Sequence, residues 1–114
     1  MAREVQSITV QNQAGYSMTF WISYTGPDGK LHWSENNSGD FSAGFNRTLD
    51  LSQCHSNDKS THNQIPEGAT VWPTGKADLG KQFDAGDKLV YKKNGQKATY
   101  RAKGTTLNPY FELV

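Results

Sequence analysis

The residue types best suited to chemistry in this sequence are a cysteine and two histidines in one polar stretch. The stretch 52–67 contains Cys54, His55, Asp58 and His62 and has no apolar period. Thiolate, imidazole and carboxylate groups are zinc ligands, but this spacing matches no closed zinc pattern. Cys54 beside His55 also resembles a nucleophile with its base, yet adjacent residues of an extended chain point apart. We therefore predict no catalytic residue, no metal ligand and no cofactor, and hence a protein that is not an enzyme.

Aromatic side chains in unusual positions are the more informative candidates. Trp21 falls on the polar side of an alternating stretch, and Phe41 lies in a glycine-flanked loop. Aromatic rings stack on sugars or enter the membrane interface, while neighbouring carboxylates and amides bond sugar hydroxyls. The predicted membrane-binding or ligand-binding residues are Trp21, Trp33, Phe41, Asp28, Asn37 and Asp40. Phe45 and Trp72 are expected in the core instead.

Charge is unevenly distributed along a chain whose formal net charge is only +1. Residues 76–103 hold eight Lys and Arg residues against three Asp residues. The predicted basic face consists of Lys88, Lys92, Lys93, Lys97, Arg101 and Lys103. Such an excess would steer the protein toward an anionic membrane or a sulfated glycan, although lysines that keep edge strands from pairing give the same pattern. The small net charge gives no reason to expect a nucleic-acid partner.

The element that must position the aromatic candidates is an alternating strand over residues 16–24. Its apolar side comprises Tyr16, Met18, Phe20, Ile22 and Tyr24. This period of two is typical of a half-buried central strand. Further strands are predicted at 4–11, 30–35, 46–51, 69–72, 87–92, 97–102 and 110–114. Asn94-Gly95 predicts a hairpin between two of them, and Pro73 and Gly75 are expected to stop the strand at 69–72.

These elements predict an all-β, single-domain chain, 1–114, folded as an antiparallel β-sandwich of about seven to nine short strands. A small barrel uses the same alternation and remains an alternative. The single Cys54 excludes an internal disulfide. Because residues 1–6 lack an apolar core, we expect synthesis in the cytoplasm without a signal peptide, with release by lysis or by a dedicated export route.

Two short patterns resemble known proteins. The opening Ala2-Arg3-Glu4-Val5, followed by Ile8-Thr9-Val10-Gln11-Asn12 and Gly15, resembles aegerolysin-type insecticidal proteins. The same Ile8–Asn12 segment, Gly29, Ser42-Ala43-Gly44 and Lys92–Gln96 are similar to small rootworm-active proteins of soil bacteria. Both resemblances imply a small bacterial insecticidal β-sandwich protein. The first also implies membrane binding, often with a larger partner protein.

Three function classes follow from these observations. The first is a non-enzymatic insecticidal or membrane-directed toxin that binds a membrane surface, with or without a second protein component. The second is a lectin that recognises a glycan receptor, with Trp21, Trp33 or Phe41 stacking on the sugar. The third is a structural or homo-oligomeric subunit that pairs through strand edges near Arg3–Val10 or Tyr110–Val114.

Overall fold

The computed structural model describes residues 3–114, in which nearly all regular structure is β-strand. The strands are β1 Glu4–Val5, β2 Ser7–Asn12, β3 Met18–Thr25, β4 Leu31–Asn37, β5 Asn46–Asp50, β6 Thr70–Ala77, β7 Gln82–Asp84, β8 Leu89–Tyr91, β9 Lys97–Gly104 and β10 Pro109–Leu113. Two single-turn 3₁₀ helices span Leu51–Gln53 and Lys59–Thr61. Within this range no helix is long and apolar enough to cross a membrane. The predicted all-β sandwich is confirmed, with slightly more strands than expected; Ala2 of the first resemblance lies outside the described residues.

The strands form two packed sheets. The larger has the order β1-β8-β6-β3-β4, with β7 also paired to β6, and the smaller has the order β10-β9-β2-β5. The pairs β1–β8 and β2–β9 are parallel, so both sheets are mixed and not wholly antiparallel as predicted. A sandwich of this kind buries the inner face of each sheet against the other.

The predicted first strand is divided at Gln6 because its two halves join different sheets. β1 pairs with β8 in the larger sheet and β2 with β9 in the smaller one. The Asn94-Gly95 turn therefore passes between the sheets, and the predicted hairpin at this turn is wrong. Gln6 fixes the crossing, since its backbone N–H donates to Gln96 O at 2.8 Å and its Oε1 accepts from Gly95 N–H at 2.9 Å.

The core is organised around β3, as the alternation predicts. Met18, Phe20, Ile22 and Tyr24 are fully buried. Phe41 joins them at 3% exposure, so its predicted role as a ligand-facing ring is wrong. The physical reason is backbone pairing: Met18 N donates to Phe41 O at 3.0 Å and Phe41 N to Met18 O at 2.9 Å, which folds the loop over the sheet.

The two aromatic residues expected in the core differ. Trp72 is buried, which confirms that expectation, whereas Phe45 is 56% exposed and its predicted core position is wrong. Phe45 follows Gly44, which has a φ of 91°, and its carbonyl accepts from Asn12 N–H at 2.9 Å. This turn carries the phenylalanine to the end of the sandwich instead of between the sheets.

Strand β6 continues through Pro73 and Gly75, against the prediction that both stop it. Pro73 lies in register with Ile22, between the part of β6 that pairs with β8 and the part that pairs with β7. At such a gap no partner needs the N–H that proline lacks. A Cβ on Gly75 would lie 3.0 Å from each of Phe83, Phe111 and Met18, so the absent side chain makes room for core rings.

The long polar stretch covers the edge of β4. Glu35 N donates to His55 O at 2.6 Å, and Asn57 N donates to Trp33 O at 2.9 Å. The hydroxyl of fully buried Tyr24 hydrogen-bonds that of Ser56, which ties the same stretch to the core. An edge that would otherwise expose unpaired backbone groups is thereby occupied.

Candidate functional site

A groove of about 460 Å³ lies on the outer face of the larger sheet. It brings together Trp21, Trp33 and Asn37 from the predicted set, because odd-numbered residues of β3 and β4 face outward here. Trp21 is in register with Asn37 on one side and Thr74 on the other, and Ser23 with Trp33. The volume lies within the range of about 300–1,000 Å³ typical of ligand pockets.

A bulge in β4 shapes this groove. Three residues separate Trp33 from Asn37, whereas one separates their partners Ser23 and Trp21. Ser34 turns inward within the bulge, where its hydroxyl accepts from Ile22 N–H at 3.0 Å and donates to Asn36 O at 2.7 Å. The Ser34 hydroxyl thus satisfies two backbone groups where the bulge interrupts the ladder.

The floor of the groove is a chain of polar side chains. Ser23 Oγ and Thr74 Oγ1 lie 2.7 Å apart, and Thr74 Oγ1 in turn donates to Asp84 Oδ1. The same carboxylate oxygen accepts from Trp72 Nε1 at 3.2 Å. Sequence reasoning missed Asp84 because only the pairing of β6 with β7 brings it beside Thr74.

The predicted basic face does not form one surface. Lys97, Arg101 and Lys103 lie on β9 of the smaller sheet. Lys92 and Lys93 lie in the turn after β8, and Lys88 covers the ring of Trp72 on the larger sheet. Lys88 Nζ stands 4.2 Å from the centre of the Trp72 ring. Glu112 on β10 lies 3.2 Å from Lys103 and 3.8 Å from Arg101. The correction has a topological cause, since β8 and β9 belong to different sheets.

Asp28 lies away from the groove, in the turn between β3 and β4. The Lys30 N–H, which donates to its Oδ1 at 2.9 Å, holds the pKa of Asp28 below its usual value, and His32 adds to this. His32 Nε2 also lies 3.5 Å from Asp58 Oδ2. Asp28, His32 and Asp58 are the group of side chains within residues 3–114 that is compact enough to hold a metal ion. Cys54, His55 and His62 do not belong to it. Its ordinary role is to clamp the turn to the long polar stretch.

Cys54 is predicted to be unreactive in the folded protein. Burial, followed by the nearby Asp50 charge, raises the pKa of its thiol to about 11. At about pH 8 the thiol is therefore protonated as well as inaccessible, and the thiolate is the reactive form. A coloured disulfide reagent should label native protein very slowly and guanidinium-unfolded protein at the rate of a free thiol. Equally fast labelling of both states would contradict this prediction.

One end of the sandwich, here called the loop end, consists of residues 13–17, 38–45, 78–81 and 105–108. These loops are joined by backbone bonds: Asp78 N donates to Ser17 O at 2.9 Å, and Lys81 N to Thr106 O at 3.1 Å. Leu79 projects from it at 102% exposure and Leu107 at 66%. Leu79 also has a φ of 58°, a conformation that costs a bulky side chain about 1–2 kcal/mol.

Asp40 lies at the loop end and not in the groove. Partial loss of solvent, followed by a hydrogen bond and repulsion from the Asp78 carboxyl, raises the pKa of Asp40. The predicted site residues are thus divided: Trp21, Trp33 and Asn37 share the groove, while Asp28 and Asp40 lie at opposite ends of β3. Exposed Leu79 and Leu107 escaped sequence reasoning because single leucines in loops carry no pattern.

No family model and no curated protein matches this chain, so neither sequence resemblance is shown. Among solved structures, listeriolysin O is similar at a TM-score of 0.50 and 18% identity over 95% of this chain. Pneumolysin follows at 0.48 and 15%, and the membrane-binding domain of pneumolysin at 0.45 and 17%. The chain spans 22% of the length of listeriolysin O, 23% of pneumolysin and 94% of the isolated domain. The likeness to listeriolysin O supports the sandwich fold.

Proposed function

We propose that this protein is a non-enzymatic, membrane-directed binding protein of a toxin-like kind that meets the membrane with its loop end. The observation that carries the proposal is Leu79, a fully exposed leucine whose backbone has the left-handed conformation. The left-handed backbone and the exposure of an apolar side chain both cost free energy. We infer that Leu79 is held in this position to contact an apolar surface.

Leu107 supports the same surface. Its loop bonds directly to that of Leu79 through Lys81 N and Thr106 O. Burying a leucine side chain gains about 1.5–3 kcal/mol, so the two together supply about 3–6 kcal/mol of membrane affinity. The basic residues are dispersed and Asp40 lies at the loop end, so apolar insertion into neutral lipid explains binding better than attraction to anionic lipid.

The test is co-sedimentation with vesicles, read by intrinsic tryptophan fluorescence. Neutral phosphatidylcholine vesicles, with and without cholesterol, are compared with vesicles that contain phosphatidylserine, each at low and high salt. We expect binding to neutral vesicles that depends little on salt. The Leu79→Asn, Leu107→Asn double variant should lose at least about a hundredfold in partition, since about 1.4 kcal/mol corresponds to tenfold.

Asparagine suits this test because it tolerates the left-handed conformation better than leucine does, so the fold should be preserved. Val114→Ser is the matched control, since it removes another exposed aliphatic side chain, 55% exposed and directly after β10, from the opposite end of the sandwich. Unchanged partition of the double variant, or no vesicle binding by the native protein, would refute the proposal.

The proposal has three further parts. The protein acts on insects, it is made in the cytoplasm and released later, and it works with a second protein component or as a homo-oligomer. The edge strand β10 of the smaller sheet, with Tyr110 51% exposed, is the surface most open to pairing with another copy. Of the other edge proposed from sequence, β1 does lie at the edge of the larger sheet but has only two residues, whereas β2 is internal, between β9 and β5. Feeding assays on insects test the toxicity, and size exclusion on vesicle-bound protein extracted in mild detergent tests assembly.

A further inference from the structure

The groove on the outer face of the larger sheet is not needed for apolar contact at the loop end, yet most of the residues that line it are polar. We infer that it binds a neutral oligosaccharide. This inference goes beyond the proposed membrane role and does not depend on it, since the groove lies on a sheet face and the loop end at the tip of the strands.

Two indole rings supply the stacking surface. Trp33 is 45% exposed although its strand is paired on both sides. Its partner on β3 is Ser23, and Trp21 lies two positions from Ser23 on the same strand. Diagonal neighbours across paired strands lie about 7–8 Å apart, within reach of large aromatic side chains. The apolar C–H face of a sugar ring is the complement of such an indole face.

Fixed polar groups lie beside the rings. Every hydrogen bond that the described residues make to the Asp84 carboxylate ends on Oδ1, where Trp72 and Thr74 hold it, so Oδ2 is left to accept from a ligand hydroxyl. Asn37 Oδ1 accepts from Gly39 N–H at 2.8 Å, which leaves the amide nitrogen as a donor. Sugar hydroxyls both donate and accept, and Gln82 on the groove wall can meet either need.

Charge decides the class of saccharide. In the described part of the chain the groove is lined by Glu35 and Asp84 and by no lysine or arginine, although Lys76 is in register with Gln82 of its wall. The two carboxylates inside the groove therefore disfavour phosphate, sulfate and sialic acid groups. A quaternary ammonium also favours aromatic rings and carboxylates. A quaternary ammonium group cannot hydrogen-bond to the amides of Asn37 and Gln82, however, and it does not fill a groove of about 460 Å³.

The experiment uses an array of neutral and anionic glycans, followed by titration of the neutral hits in solution without membranes. Lactose, N-acetyllactosamine, cellotetraose, chitotetraose and mannotetraose are the neutral probes, sialyllactose is the anionic probe and phosphocholine is the ammonium probe. We expect at least one neutral probe to bind, with quenching or shift of tryptophan fluorescence. Trp33→Ala should weaken that binding about tenfold or more, and Trp33→Phe should restore part of it.

Asp84→Asn should also weaken binding, whereas Phe45→Ala, which removes an exposed ring outside the groove, should leave it unchanged. Trp33→Ala keeps the inference testable even where Asp84→Asn disturbs the sheet, because Trp33 is 45% exposed and lies outside the core. No neutral probe binding at up to about 10 mM would overturn the inference, as would unchanged affinity in Trp33→Ala. Binding of phosphocholine or sialyllactose in preference to every neutral probe would overturn it too. These outcomes concern the groove alone, so none of them would change the conclusion drawn from vesicle binding about the loop end.

Discussion

Replacing Phe20 by alanine is expected to lower the free energy of unfolding by about 3–5 kcal/mol. Phe20 is fully buried on the central strand, packs edge-on against Phe41 with ring centres 6.3 Å apart, and is in register with Gly75 of β6. The loss combines the missing apolar burial with a cavity that two hydrogen-bonded sheets cannot close. A domain of this size is stable by about 5–15 kcal/mol in total, so the variant should unfold at much lower urea concentration.

Phe45→Ala is the matched control, because it deletes the same side chain from a position that is 56% exposed. Its effect should stay within about 0.5 kcal/mol, as for most surface substitutions. Urea titrations followed by tryptophan fluorescence measure both variants. A loss for Phe45→Ala as large as that for Phe20→Ala would mean that the core is wrongly placed.

Gly104→Ala is expected to disturb both stability and the loop end. Gly104 has a φ of 89°, and a Cβ there would lie 2.2 Å from the carbonyl oxygen of Asn108, so the loop that carries Leu107 must move. The left-handed conformation alone costs an alanine about 1–2 kcal/mol. Forcing backbone atoms apart adds about 1–3 kcal/mol, as in other overpacked sites.

Gly95→Ala separates the two costs. Gly95 also has a left-handed φ, 72°, but a Cβ there has open space around it. We expect Gly104→Ala to lose at least about 1 kcal/mol more than Gly95→Ala in thermal or urea unfolding, and to weaken vesicle partition while Gly95→Ala leaves partition unchanged. Equal losses would contradict the structure of this loop, and partition unaffected by Gly104→Ala would contradict its proposed contact with the membrane.

Local alternation was sufficient to predict much of the fold. The inward side of β3 from Met18 to Tyr24 and the all-β class follow from a period of two, which depends only on neighbouring residues. Loop composition was less informative about burial: Phe41 and Phe45 lie in the same glycine-rich segment, yet one is in the core and the other in solvent. Backbone pairing with Met18 distinguishes them, and no residue spacing encodes that contact.

The sequence by itself determined most of the strands and the outward position of Trp21, because each depends on side-chain size and backbone preference over a few residues. It did not determine the division of the first strand at Gln6 or the continuation of β6 through Pro73. Only the tertiary structure decided which strands are neighbours. That choice placed β8 and β9 in different sheets and dispersed the basic residues. It also brought Asp84 beside Thr74 in the groove and joined the loops that carry Leu79 and Leu107. Strand order depends on the simultaneous packing of two whole faces, so residues far apart in the chain meet only when the sandwich closes.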